Sequence, residues 1–176
     1  ADGQNVCGAI ATPNFKHVFG YWEASVRYGY QPGMQSAFWI QSDTFGRDPA
    51  PEKAGVEIDV FEHTAATTQP VGFDHNLIWG GYGPSKQHAA YKGALPGLAD
   101  GKFHRFGVAW TPAGYTFYVD GRVSWSSKGT GAPVSRAPQF IILDTEIPRP
   151  NLAPSRGYGP LGAPTNAHLD VDYVRV

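Results

Sequence analysis

Between Phe103 and Trp125 the chain alternates large apolar with polar residues in three short bursts, and the breaks between them are turn sequences, Pro112-Ala113-Gly114 and Asp120-Gly121. Asp-Gly is favoured where a two-residue hairpin needs positive φ, so this stretch reads as three consecutive antiparallel strands. The same alternation, bounded by turn residues, recurs at Ala9–Thr12, Tyr21–Tyr30, Ala37–Gln41, Val56–Glu62, Phe73–Trp79, Gln139–Leu143 and His168–Val176. Within the meander the strands are Phe103–Trp110, Tyr115–Val119 and Val123–Trp125. With 22 Gly and 15 Pro among 176 residues, no stretch sustains the 3.6-residue period of a long helix. Asp43–Gly55, Gly80–Asp100 and Pro148–Asn166, rich in Pro and Gly, read as long loops on a β scaffold, where binding function usually sits. A chain of 19.0 kDa buries roughly 70% of its unfolded surface. With no repeat or linker in view, residues 1–176 are expected to form one domain.

The charge pattern removes several functions. Fourteen basic against fifteen acidic residues give a formal net charge of −1, with no electrostatic footprint for nucleic acid or an acidic membrane surface. No apolar run approaches the ~20 residues of a membrane helix. The single Cys7 excludes an internal disulfide framework and a Cys-based zinc site. Gly157-Tyr158-Gly159-Pro160-Leu161-Gly162 matches the dinucleotide pattern, but Pro160 interrupts it and neither a preceding strand nor a following helix is in place, so it reads as loop. Gly83-Pro84-Ser85-Lys86 lacks the order that cradles phosphate, no G-x-S-x-G elbow occurs, and the six His show no H-x-x-x-H spacing.

What remains is Val56-Glu57-Ile58-Asp59-Val60-Phe61-Glu62-His63, where a chain with only five Glu concentrates its acids. On a strand, Glu57 and Asp59 share one face and Ile58 and Val60 the other. Glu62 has the wrong parity for the acidic face. One extra residue at Val60-Phe61 would form a β-bulge and return Glu62 to that face, leaving Phe61 buried and His63 near the rim. Glu57 and Glu62 would then lie roughly 13 Å apart at Cα, and long side chains leaning together would bring their carboxyls to the ~5–5.5 Å of retaining glycosidases. The same spacing also fits an exposed strand face of solvated acids or a calcium ligand set.

The run resembles the catalytic signature of glycoside hydrolase family 16 in its bulged form, the type of laminarinases and agarases. The likeness extends through Gly8-Ala9-Ile10-Ala11-Thr12, Phe19-Gly20-Tyr21-Trp22-Glu23-Ala24 and Ser36-Ala37-Phe38-Trp39-Ile40 before the acids. After them come Phe103-His104-Arg105-Phe106, Phe117-Tyr118-Val119-Asp120-Gly121 and the terminal Asp170-Val171-Asp172-Tyr173-Val174-Arg175-Val176. The resemblance implies an all-β, concanavalin-like β-jelly-roll sandwich of two antiparallel sheets with an open polysaccharide cleft. By matching positions it implies Glu57 as nucleophile, Asp59 as the assisting acid and Glu62 as general acid/base. Like-charge crowding supports such a division, since it raises the pKa of one member of the set.

Of Phe38 and Trp39, one points into the core and the other toward the cleft, and the resemblance assigns the cleft to Trp39, as a platform for sugar C–H faces. His75 and Trp79 resemble the family's cleft strand and are expected to contact substrate, with His75 able to bond a sugar or the acid/base. Arg27, Arg47 and Arg149 adjoin the expected cleft without clustering, which favours a neutral β-1,3-glucan over a sulfated galactan such as agar- or carrageenan-type chains. Two departures stand out. Relatives usually carry one or more strands ahead of the segment resembling Gly8–Thr12, so the domain is expected to be short at its N-terminus; and Gln35 stands where relatives often have Trp. The resemblance requires no cofactor for catalysis; a structural Ca²⁺, with Asp172 as its ligand, is the remaining possibility. The expectation is therefore an endo-acting retaining β-glycan hydrolase, secreted and monomeric, with no nucleic-acid or membrane partner. The alternatives are a non-catalytic, lectin-like carbohydrate-binding module on the same sandwich and a glycan transglycosylase.

Overall fold

The computed structural model describes residues 7–30, 34–64, 70–146 and 168–176. Eleven strands run in chain order among them: β1 (Gly8–Ala11), β2 (Gly20–Gly29), β3 (Gln35–Gln41), β4 (Glu57–His63), β5 (Gly72–Trp79), β6 (Gln87–Ala94), β7 (His104–Thr111), β8 (Gly114–Val119), β9 (Arg122–Ser126), β10 (Phe140–Glu146) and β11 (His168–Arg175). They form two antiparallel sheets. One has the order β1-β10-β3-β4-β5-β6 and the other β11-β2-β7-β8-β9. The fold is thus the expected all-β sandwich, and neighbours in space are often distant in sequence, as in a jelly roll.

Alternation decides which face each strand presents. On β2, Trp22, Ala24, Val26 and Tyr28 point inward. They meet Phe106, Val108 and Trp110 of β7 and, from the opposite sheet, Phe38, Ile40, Ile58, Phe61 and Leu77 in one core. The β7-β8-β9 meander follows its turn residues: Thr111 pairs with Gly114, and Asp120 and Gly121 hold φ of 49° and 79°, the doubly positive turn that Asp-Gly accommodates.

Two loop expectations need correction. Gly80–Asp100 contains β6, an edge strand paired only to β5 whose residues alternate between exposed and half-buried. Its run of Gln, His, Ala and Lys carries little β-branched character, so the strand is held by β5 pairing rather than by its own propensity. Asp43–Gly55 holds a single helical turn, α1 (Pro51–Ala54), opened by Pro51 at its first position. The loop expected at Pro148–Asn166, with Arg149, falls outside the described residues. No described helix is long and apolar enough to cross a membrane.

Candidate active site

The acids ride on β4 at a break in register. Phe38 faces Phe61 while the next residue, Trp39, faces Asp59, so Val60 has no counterpart on β3. On the other side Asp59 faces Asn76 and Glu62 faces Asp74, so Val60 and Phe61 together oppose His75. This is the bulge that the parity of Glu62 calls for. Val60 and Phe61 are fully buried, and Glu62 turns to the same side as Glu57 and Asp59. His63 does not reach the rim: once Glu62 faces the cleft, the next residue must face the core, where His63 packs against Tyr28 and Tyr30 at ring distances of 4.8 and 5.5 Å.

The three carboxyls line a cavity of about 260 Å³ shared with Gln35, Trp39, Ile78, Tyr82, Lys86, Asp144 and Glu146. Glu62 accepts from Asn76 Nδ2 at 2.6 Å and from Gln35 Nε2 at 3.2 Å. Glu57 accepts at Oε2 from both Gln41 Nε2 and Tyr82 Oη. Trp39 donates its indole N–H to Asp144 at 2.8 Å, while Phe38 is in the core. A second cavity of about 730 Å³, lined by Gln41, Phe45, Arg47, Tyr82 and Phe140 among others, adjoins the first across Tyr82.

Burial raises every acid of the set, but unequally. Glu62 is pushed up to about 7 by burial and then by the negative charges of Asp74, Glu57 and Asp144. Asp59 is raised well above its ordinary value, first by burial and then by the charges of Glu62 and Glu57. Glu57 is raised by burial too, yet the hydrogen bonds from Tyr82 and Gln41 and the charge of Lys86 pull it back down. Asp144 is pushed up to about 6 by burial, against the hydrogen bond from Trp39. Glu62 is therefore able to carry a proton near neutral pH, while the donors around Glu57 oppose the effect of its burial.

Three expected contacts lie elsewhere. His75 faces the core: it is fully buried, its Nδ1–H donates to the Val60 carbonyl at 2.7 Å, and its Nε2 accepts from Ser124 at 3.1 Å. Burial lowers it to about 4, so the ring is neutral. Trp79 has the same parity as His75 and belongs to the core cluster. Arg27 is on the outer face of the other sheet, paired with Asp170 at 2.7 Å and 5.0 Å from the Phe103 ring centroid. Among the described residues Arg47 alone of the three arginines lines a cavity at the acidic face. The parity of β5 was the overlooked signal, since Phe73 and Leu77 are core residues and the cleft falls to Asp74, Asn76 and Ile78. The partners Gln35 and Gln41 were likewise reachable, two residues either side of the Ala37–Trp39 pair on the same face of β3. Asp144 was not, because only the β10–β3 pairing, Asp144 opposite Ala37, brings it in.

Asp172, the expected Ca²⁺ ligand, is the exposed extra residue at a second bulge, in β11.

The sandwich thus carries a hydrogen-bonded set of acids on one face of its six-stranded sheet. The chain belongs to glycosyl hydrolases family 16, whose model matches residues 1–143. It is 27% identical over 111 residues, 63% of this chain, to a β-glucanase of Fibrobacter succinogenes, and spans 30% of that relative's length. Its fold is similar to a Bacteroides ovatus family 16 protein solved with a mixed-linkage glucan product, with a TM-score of 0.75 and 17% identity over 95% of this chain and 73% of that one. It is also similar to the catalytic domain of an endo-1,3-β-glucanase (laminarinase) from Thermotoga petrophila, with a TM-score of 0.67 and 22% identity, covering 95% of this chain and 67% of that one.

Proposed function

We propose that the protein is an endo-acting, retaining β-glycan hydrolase whose substrate is a neutral β-glucan, most of all a β-1,3-glucan. The observation that carries this reading is the β4 bulge, which sets Glu57, Asp59 and Glu62 on one face, where burial raises both glutamates but the donors Tyr82 and Gln41 and the charge of Lys86 favour the ionised form of Glu57 alone. Glu57 attacks the anomeric carbon and forms a glycosyl ester, while the Glu62 carboxyl gives its proton to the departing glycosidic oxygen. Glu62, now ionised, takes a proton from the water that attacks the ester, and Glu57 leaves as carboxylate. Burial and the charges of Glu62 and Glu57 favour the neutral form of Asp59, which limits the negative charge gathered between them. Trp39 offers its plane to a sugar ring, its edge fixed by Asp144.

Support for a neutral substrate comes from the lining. Glu57, Asp59, Glu62, Asp144 and Glu146 share the acid cavity with one cation, Lys86, which disfavours a sulfated chain. The β-glucanase and laminarinase relatives agree with a glucan, and a polysaccharide substrate fits secretion. The test is product analysis against laminarin, mixed-linkage glucan, agarose, carrageenan and porphyran. A ladder of oligosaccharides from laminarin is expected; ladders only from the galactans would replace the substrate. In Glu57→Gln, which removes the attacking oxygen and little binding surface, turnover should fall by several orders of magnitude while laminarin binding persists.

A further inference from the structure

Resting on that reading of Glu57, we infer that Tyr82 and Gln41 are a positioning pair that pins one oxygen of the Glu57 carboxylate and leaves the other as the attacking atom. The two oxygens are treated differently. Oε2 receives both donors, and among the described residues no hydrogen bond reaches Oε1. Gln41 Nε2 lies within hydrogen-bonding reach of both Glu57 Oε2 and Tyr82 Oη, 2.7 Å from the latter, so the two acceptors share its amide edge. A carboxylate only accepts, so the single O–H proton of Tyr82 goes to Glu57. A carboxylate held at one oxygen by two donors cannot rotate to exchange its oxygens, so the attack geometry is set before substrate arrives.

The loop that carries Tyr82 is built to keep it there. Gly80 and Gly81 both have φ of 78°, which side-chain-bearing residues adopt with strain. At Gly80 an added Cβ would lie 2.2 Å from the Ser85 carbonyl oxygen, and at Gly46, in the facing loop, one would lie 2.8 Å from the Cα of Gly81. The two loops therefore touch backbone to backbone, and the Tyr82 ring rests on Phe45 at 5.0 Å. With 62% of the residue exposed, Tyr82 gains little from burial. A hydroxyl delivered to the Glu57 carboxyl by so exposed a ring is explained by the bond it makes rather than by packing. The same hydrogen bonds favour the ionised form of Glu57, against the burial that opposes it.

The test compares Tyr82→Phe and Gln41→Leu with the parent chain. Tyr82→Phe removes one oxygen from an exposed ring and should leave the thermal midpoint unchanged. At the pH optimum kcat should fall about tenfold with KM nearly constant, since the pair acts on the nucleophile and not on sugar binding. The acid limb of kcat/KM should move up by about one pH unit in either variant, because a nucleophile that has lost a donor protonates at higher pH. A titration of ¹³C-labelled glutamate carboxyls, with five Glu to assign, should report the same upward shift at Glu57 without reliance on turnover. An unmoved Glu57 titration and acid limb in both variants, or a loss confined to KM, would overturn the positioning role. If Glu57→Gln keeps parental turnover, the nucleophile reading itself falls and the inference with it; an inactive Glu57→Gln beside unmoved titrations removes the pair alone.

Discussion

Glu62 stabilises the fold in its neutral form and opposes it when charged. Its folded pKa of about 7 exceeds the ordinary 4.5, so the folded chain binds this proton more tightly than the unfolded one. The stabilisation is therefore complete below about pH 4.5 and is lost as pH rises through 7. Glu62→Gln, neutral at all pH, should be more stable than the parent at pH 8, by on the order of 1–3 kcal/mol, and equal to it near pH 4. Urea unfolding at the two pH values checks this; a variant less stable at pH 8 would show that the burial of Glu62 is compensated. The same variant should lose hydrolysis of natural glucan by several orders of magnitude yet turn over aryl glycosides with good leaving groups, whose departure needs no proton. At this scale the sequence carried the identities of the acids, because three carboxyls within six residues of a low-charge chain are conspicuous. Their partners Asn76, Gln41 and Tyr82 are ordinary polar residues whose significance appears only when pairing places them against a carboxylate.

On β4 and β5 the decisive feature is one residue of excess length. His75 stands opposite Val60 and Phe61 and returns a hydrogen bond to the Val60 carbonyl, a group the bulge takes out of the regular ladder. Its neutral ring also fixes a pH dependence of the opposite sign to that of Glu62. Lowered to about 4 in the fold, it contributes stability that is complete above pH 6.5 and is lost as pH falls toward 4, where the unfolded chain takes up the proton first. His75→Phe leaves the Val60 carbonyl and the Ser124 hydroxyl without their partner and should cost on the order of 2 kcal/mol. It should also flatten the part of the stability profile between pH 6.5 and 4. Activity should fall further than stability accounts for, because Glu62 is aimed by the bulge; full activity in a folded His75→Phe would separate the bulge from this histidine. Parity located where a bulge would fall, at Val60-Phe61, and the resemblance to the bulged signature favoured it over a regular strand. The side of β5 that faces it was not read, since the resemblance drew His75 and Trp79 toward the cleft although they alternate in step with the core residues Phe73 and Leu77. β6 was illegible for a different reason: an edge strand of Gln, His, Ala and Lys has no propensity signature, and only its partner β5 defines it.

For the molecule as a whole, the acid-lined cavity on the six-stranded sheet sets the expected response to salt. A neutral glucan carries no charge to screen, so kcat/KM on laminarin should be flat between low and moderate salt, whereas slow hydrolysis of carrageenan should rise as salt screens repulsion between sulfates and the cavity. A carrageenan rate that instead falls with salt would assign anion recognition to Arg47. The two-sheet architecture was legible because turns and alternation are local; which strands lie side by side was not, since β10 joins β3 across about a hundred residues of chain. The central claim is that Glu57 and Glu62, brought to one face by the bulge, act by double displacement, and anomeric configuration reads it most directly. Following the hydrolysis of laminarin oligosaccharides by ¹H NMR from the first turnovers, the account predicts that the β-hemiacetal appears first and the α-form only by mutarotation. An α-product formed first would mean a single displacement by water and would contradict the assignment of Glu57 as nucleophile.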